Sequence, residues 1–283
     1  MIKKKRFDEL LITPVAVVLF AVTSILNPAI AEDSSTQAVA FPDSWMIRAG
    51  TYIVDGADTQ FSVSSDVAGL GTVIDYNRDL NGDSRDTVPR IDAYYRFNPR
   101  HRIDFTTFAI DRKGIRTLEV DPPIIIDGED FAGGVLKSDI KYTLYKLAYA
   151  YSFYHSAKVE LGVTAGLNVT SYDLEFSNES GDKAESAGFT APLPMFGLRL
   201  GYAITPKWSV QYVSEAFFID FEDTIKGALI SYELNTEYRL FKNFGIGGGF
   251  ARFGTAVDVD EPDWKGKVSD SYRGYTLFAT LYF

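Results

Sequence analysis

The chain has no cysteine, two histidines and three methionines among its 283 residues. The absence of cysteine excludes disulfides, thiolate metal sites and a cysteine nucleophile. Two imidazoles leave acid–base or metal chemistry built on histidine with very few places to sit. Positive charge is short as well. The 28 Lys and Arg stand against 38 Asp and Glu, a formal charge of −10, and this argues against nucleic acid as a partner, which selects a basic face. After residue 31 no apolar run approaches the ~18 residues of a spanning helix. What the chain does have is 21 Phe, 17 Tyr and 23 Gly, a balance that favours strands and turns over helices.

The first residues read as an address. Lys3, Lys4, Lys5 and Arg6 form a basic start, residues 10–26 are apolar, and Ala29-Ile30-Ala31 supplies an A-x-A cleavage pattern. Residues 1–31 are therefore expected to be a signal peptide cut after Ala31. An uncleaved anchor is the alternative, disfavoured by Pro14 and the Asn27-Pro28 break. Removing four basic and two acidic residues with the leader takes the formal charge from −10 to −12. No cysteine follows to carry an N-terminal lipid.

Strict period-two alternation fills the rest. Ala228, Ile230, Tyr232, Leu234, Tyr238 and Leu240 share one face, and Ser231, Glu233, Asn235, Glu237 and Arg239 the other. Val159, Leu161, Val163, Ala165, Leu167 and Val169 oppose Glu160, Gly162, Thr164, Gly166, Asn168 and Thr170. Ile91, Ala93, Tyr95 and Phe97 oppose Arg90, Asp92, Tyr94 and Arg96, and Tyr145, Leu147, Tyr149, Tyr151 and Phe153 share a face in the same way. A soluble sandwich alternates too. Three features favour a membrane barrel: aromatics at strand ends on the apolar face, apolar segments of about ten residues, and a final alternating strand, Tyr275, Leu277, Ala279, Leu281, Phe283.

Tight turns at 98–100, 155–157, 205–207 and 242–243 alternate with longer connections at about 55–87, 111–137, 176–187 and 259–268, and a shorter one near 220–224. Rising strands are expected from Trp45, Arg102, Lys158, Trp208 and Phe244, and descending ones to Phe97, Tyr154, Ile204, Phe241 and Phe283. The fold class is all-β: a transmembrane antiparallel β-barrel of about ten strands, with eight or twelve as alternatives, long extracellular loops and short periplasmic turns.

This pattern resembles the small Gram-negative outer-membrane barrels of the OmpA, OmpX and OmpW kind. The resemblance covers 45–283 as a pattern rather than a motif match. It implies an outer-membrane domain at 45–283 behind a short periplasmic segment at 32–44. Also implied are contact with outer-membrane lipid and lipopolysaccharide, and recognition of the C-terminal strand, with Phe283 as its signal, by the barrel-assembly machinery. The protein is expected to be a monomer.

The polar face defines a candidate lumen network of Arg48, Arg90, Arg96, Arg102, Lys146, Arg199 and Arg239 against Asp92, Asp104, Glu160, Glu215, Glu233 and Glu237. Seven cations nearly balance six carboxylates, as an ion-paired plug requires; a narrow charge-lined pore is the alternative. Barrel enzymes include omptin-type proteases and lipid hydrolases, whose resemblance implies a catalytic His near the outer rim. Here His101 and His155 both fall on short turns at the expected periplasmic end; His155 is followed by Ser156 and Ala157 and so departs from the His-x-Ser arrangement of such hydrolases, and no nucleophile–base pair is visible. The chain is read as a non-enzymatic barrel with a structural or surface-interaction role and no cofactor; a narrow channel for small polar or amphipathic solutes is the alternative, and a lipid-modifying hydrolase the second alternative. Asn77, Asp79, Asn81 and Gly82 match the first positions of a calcium loop, with Asp83 beside them, but Val88 replaces the bidentate glutamate; the loop is a weak metal candidate. Arg252, Lys265, Lys267 and Arg273 fall near the outer rim, where lipopolysaccharide phosphates would lie.

Overall fold

A computed structural model describes residues 40–64, 74–118, 125–126, 129–130, 134–180, 184–221, 225–261 and 264–283; the expected leader and residues 32–39 lie outside them. In chain order the elements begin with β1 (Trp45–Ser64), β2 (Ile74–Asp75), the helical turn α1 (Tyr76–Asp79), β3 (Asp86–Asn98) and β4 (His101–Leu118). A two-residue pair, β5 (Ile125–Ile126) and β6 (Glu129–Asp130), precedes β7 (Gly134–His155), β8 (Val159–Asn178) and β9 (Ala184–Ala203). The last four strands are β10 (Trp208–Phe221), β11 (Ile225–Phe241), β12 (Phe244–Glu261) and β13 (Trp264–Tyr282).

Ten of these strands form one antiparallel ring, β1-β3-β4-β7-β8-β9-β10-β11-β12-β13, closed by β13 on β1 from Met46↔Tyr282 to Ser64↔Lys265. Closure pairs the first and last strands, which would otherwise expose hydrogen-bonding edges. Strand starts and ends at the short-turn side agree with the sequence reading to within a residue: His101 for Arg102, Val159 for Lys158, Asn98 for Phe97. These turns are closed by local chemistry. In 205–207 the Thr205 hydroxyl accepts from the N–H groups of Lys207 (3.2 Å) and Trp208 (3.0 Å).

The opposite side differs from the loop boundaries read in the sequence, because the ladders run on. β1 continues to Ser64, β4 to Leu118 and β12 to Glu261, and β7 begins at Gly134 and is 22 residues long. A tilted spanning strand needs only about 9–11 residues. Each wall thus has a spanning half and an extension beyond it.

The spanning half shows an outward apolar belt: Ile47, Ile91, Leu147, Leu198, Leu234, Leu277 and Leu281 are all exposed. Tyr145, Tyr149, Trp208, Tyr238 and Tyr275 rim it. A continuous exposed apolar surface of this extent is stable against lipid and not against water. Beyond the belt the outward face turns polar and its charges alternate across strands: Asp111↔Lys141↔Asp173 in one row, Lys113↔Asp139↔Glu175 in the next. Lys113 and Asp139 approach to 3.5 Å.

Candidate functional site

The lumen is the place where chemistry or passage would occur, and its lining changes with height. In the spanning half, inward positions carry the charges. Arg48 on β1 reaches across to Glu237 on β11 (3.0 Å), Arg96 on β3 to Glu160 on β8 (2.8 Å), and Lys146 on β7 to Glu215 on β10 (2.9 Å). Arg90 holds Asp92 at 2.9 Å and Glu233 from the far wall; Arg102 holds Asp104 at 2.6 Å. Arg199 shares Asp104 at 3.7 Å and donates to the Gln211 side chain at 3.1 Å.

Neutral groups complete the carboxylates' shells. Glu160 accepts from the Ser152 hydroxyl, Glu237 from those of Thr280 and Tyr282, and Asp92 from that of Thr106. Such satisfaction is what lets charge persist in a poorly hydrated interior. Glycine makes the room: a Cβ on Gly197 would stand 2.6 Å from the Glu215 side chain and 2.7 Å from that of Thr164. A cavity of ≈ 70 Å³ remains among Arg90, Asp104, Thr106, Lys146, Thr164 and Glu215, room for several waters.

In the extension, inward positions are aromatic and aliphatic. The ring of Tyr142 on β7 lies 5.9 Å from Phe253 on β12 and 5.1 Å from Tyr272 on β13, between strands on opposite walls. Phe108 lies 5.1 Å from Phe253 and 5.6 Å from Tyr52, and Tyr142 meets Tyr172 edge-on at 5.2 Å. Ile110, Leu136, Ile140, Leu144 and Leu174 fill the spaces between them. Rings from facing walls thus meet across the lumen at this height.

The segment 74–85 is folded onto this layer. Asp75 caps α1 by accepting from the Arg78 N–H, and Tyr76 is buried with its hydroxyl donating to the Arg112 carbonyl at 2.8 Å. Gly82 is required beneath that ring, since a Cβ there would come within 2.2 Å of it. Arg112, fully buried on β4, donates to the Asp83 carbonyl (2.6 Å), the Asn77 side chain (2.6 Å) and the Thr59 hydroxyl (2.5 Å). Burial pushes the Tyr76 hydroxyl up to about 12, whereas the hydrogen bond from Arg78 holds Asp79 below the usual carboxylate range.

No protein-family model matches the chain, and no curated protein matches it in sequence. Solved structures do. The outer-membrane protease OmpT from Escherichia coli is similar at 11% identity over 89% of this chain and 100% of that one, with a TM-score of 0.53. Ail, the attachment invasion locus protein of Yersinia pestis, is 14% identical over 83% and 97% (TM-score 0.33), and OprG of Pseudomonas aeruginosa 14% over 85% and 96% (0.37). At these identities the likeness speaks to fold alone. The closed ten-strand ring agrees with that likeness. This chain has the fold of a small transmembrane-type antiparallel β-barrel.

Within that barrel the thirteen lumen residues expected from sequence all sit inside, and twelve of them meet as the network above. Arg239 lies apart, at the short-turn end, where it binds Asp43 at 2.6 Å under the Tyr282 ring. Asp43 was missed because residues 32–44 carry no alternation to place them. His101 and His155 both lie at this end. His155 stands between the carbonyls of Pro99 (2.8 Å) and Ala40 (2.5 Å), and His101 against the Tyr149 hydroxyl.

The calcium-like segment is occupied by its own contacts. Asn77 accepts from Arg112 and Asp79 from Arg78 (2.8 Å) and the Asp75 N–H (2.9 Å), while Asn81 takes a positive φ of 52° in the turn and Asp83 gives its N–H to the Lys113 carbonyl (2.9 Å). Among the described residues no cluster of three or more His, Asp or Glu is arranged for a metal. Phe283 stands exposed at the end of β13, its carbonyl accepting from Ser44 and Trp45 (both 3.0 Å). The side chains of Lys265 and Lys267 lie outside the described residues.

Proposed function

We propose that this barrel is a non-enzymatic protein of the bacterial outer membrane whose lumen is sealed, and which acts through its outer surface and extracellular extension. The observation carrying this reading is the contact of Tyr142 with Phe253 and Tyr272 across the lumen, above a layer of ion pairs that also tie opposite walls. Support for a non-enzymatic role comes from the histidines, which rest on turn carbonyls and a tyrosine hydroxyl remote from the extension. Assembly through β13 and Phe283, and a periplasmic seat for residues 40–44, belong to the same reading. The test is planar-bilayer recording of the refolded mature chain. Silence from a barrel shown to be folded by heat-modifiable gel migration is the expected result; steady, reproducible steps would overturn it.

One observation favours a second reading, passage of small amphipathic solutes through the wall. β9 and β10 pair only from Ala203↔Ser209 to Phe196↔Ala216. Beyond that, residues 184–195 pair with β8 alone and 217–221 with β11 alone. Pro192 and Pro194 on the separated edge lack N–H donors, which suits an edge and not a ladder interior. Behind them pack Leu193, Met195, Leu229 and Phe217. The comparable separation of β3 from β4 above Arg90↔Phe108 is filled, by Asp83 against Lys113. Pro192→Val with Pro194→Val restores two donors, and on this reading it abolishes amphiphile entry into proteoliposomes. Entry that is absent from the unmodified barrel sinks the second reading.

A further inference from the structure

Residues 40–44 precede β1, yet they touch both sides of the lumen's short-turn mouth. One end is fixed to the first and last strands of the ring. The N–H groups of Ser44 and Trp45 donate to the Phe283 carbonyl, both at 3.0 Å, and the Ser44 carbonyl accepts from the Arg96 N–H at 2.7 Å. The other end lies on β7, β8 and β9. His155, Glu160 and Gly201 form one row across these strands, and the register shift between Ser152 and Tyr154 sets His155 opposite the inward Glu160. The segment lands on this row. The Ala40 N–H donates to the Ser156 carbonyl at 2.8 Å, and the Ala40 carbonyl meets His155 Nε2 at 2.5 Å. The Phe41 ring covers Gly201, where a Cβ would come within 2.7 Å of it.

Round the ring β1 is the first strand and β9 the sixth of ten, so the two stand on opposite walls. The segment is too short to reach β9 along the rim. Three residue steps from Phe41 to Ser44 cover about 11 Å at most, whereas five strand spacings of about 4.8 Å separate β1 from β9. It therefore crosses the mouth directly. On the way it is pinned: Asp43 takes the Arg239 guanidinium of β11 at 2.6 Å, and that guanidinium lies 3.9 Å over the Tyr282 ring. Phe41 sits at a φ of 54°, a left-handed conformation that a bulky residue keeps only while its surroundings hold it. Freed of these contacts, the backbone would relax out of it.

We propose that the short-turn mouth is a docking site for this chain's own residues 40–44, which cross it as a strap and close the lumen below the ion-pair layer. Phe41 on Gly201 and Ala40 between His155 and Ser156 seat the strap, and the Asp43–Arg239 pair latches it. This closure is separate from the two layers above. It belongs to a segment outside the strand ladders, so it can be withdrawn while every strand stays paired. Its periplasmic placement rests on the reading given above.

The test uses the refolded mature chain, which has no native thiol. A40C/S156C is expected to form its disulfide in most of the folded barrel and in little of the same chain unfolded in urea. Adding D43R should lower the cross-linked yield by more than half, and D43R with R239D should recover it. The same charge series in the cysteine-free chain gives a second readout: protease cuts between residues 40 and 44 in D43R and spares them in the parent and in D43R/R239D. Closure is read from A150C, a buried position on β7, which a small thiol reagent should label several-fold faster when D43R is present. No cross-link in a folded barrel, an unchanged yield in D43R, or a double variant no better than the single overturns the docking. Equal labelling of A150C with and without D43R overturns the closure. A barrel silent in planar bilayers whose strap fails to cross-link overturns the strap alone. Steady conduction by D43R with silence from D43R/R239D supports the strap and overturns sealing by the layers above it.

Discussion

The two halves of this barrel are built on opposite polarity. In the belt, Tyr145, Leu147 and Tyr149 of β7 face outward and Lys146 inward; eight residues earlier on the same strand, Lys137, Asp139 and Lys141 face outward, and Leu136, Ile140 and Tyr142 inward. The strand runs through without a register break at the changeover. One backbone thus serves as a membrane wall below and a water-soluble barrel above, because the solvent outside changes from lipid to water. The interiors follow: ion pairs where the outside is apolar, an aromatic core where it is polar. The two layers also differ in kind. The lower depends on matched partners and fails when one is removed; the upper depends on volume and fails when it is emptied.

The largest effect is expected in the lower layer. Glu237→Ala leaves the Arg48 guanidinium buried without its carboxylate and the Tyr282 and Thr280 hydroxyls without an acceptor, a loss of about 3–5 kcal/mol. The double variant R48M with E237L removes both charges and should recover most of that; equal loss in single and double variants, seen in thermal unfolding, would contradict the pairing account. Tyr142→Ala empties the centre of the upper layer, at about 3–5 kcal/mol less any collapse of the cavity. Its signature is local, with protease cutting within the extension while the spanning half stays intact. A drop in protection confined to the belt would point the other way.

A smaller effect depends on pH. Asp270 stands five positions beyond Tyr275, outside the belt, buried with the Tyr272 hydroxyl at 3.4 Å and no ion-pair partner among the described residues. Burial pushes its carboxyl up to about 6. Its folded pKa lies above the unfolded value near 4, so the folded extension binds the proton more tightly. The associated stability is fully present below about pH 4 and is lost as pH rises through about 6, on the order of 2–3 kcal/mol. Asp270→Asn should flatten that slope; an unchanged slope would place the titrating group elsewhere. The smallest effect belongs to the exterior. Lys113→Ala removes a solvated pair and should shift stability by no more than about 0.5 kcal/mol, whereas a larger shift in the unfolding midpoint would mean the pair is more than a solvated rim contact.

Much of this was legible in the sequence. Polar turns between alternating segments gave ten strands, and Arg90, Asp92, Arg96 and their counterparts fell on the inner face because period two is unforgiving. The extension was not legible for a specific reason. From 145 to 153 the apolar residues are odd-numbered, and from 136 to 144 they are the even-numbered Leu136, Ile140, Tyr142 and Leu144. A search for one continuous apolar face therefore stops at the phase change and reads the remainder as loop. Arg112 was lost with it, although Ile110 and Arg112 alternate with Asp111 and Lys113 in the same inverted phase. Asp43 and the stacking of Tyr142 on Tyr272 are long-range facts that no local pattern encodes.

The chain's lack of cysteine makes the proposed sealing of the lumen directly measurable. A single Thr106→Cys places a thiol in the cavity within the ion-pair layer, and Ser269→Cys places one on the outside of β13. With a small cationic thiol reagent added to the folded barrel in lipid vesicles, from both sides, the exterior thiol should react to completion while the interior one stays unlabelled until the barrel is unfolded. Comparable labelling of both in the folded state would mean that the lumen is open, and would contradict the two-seal account.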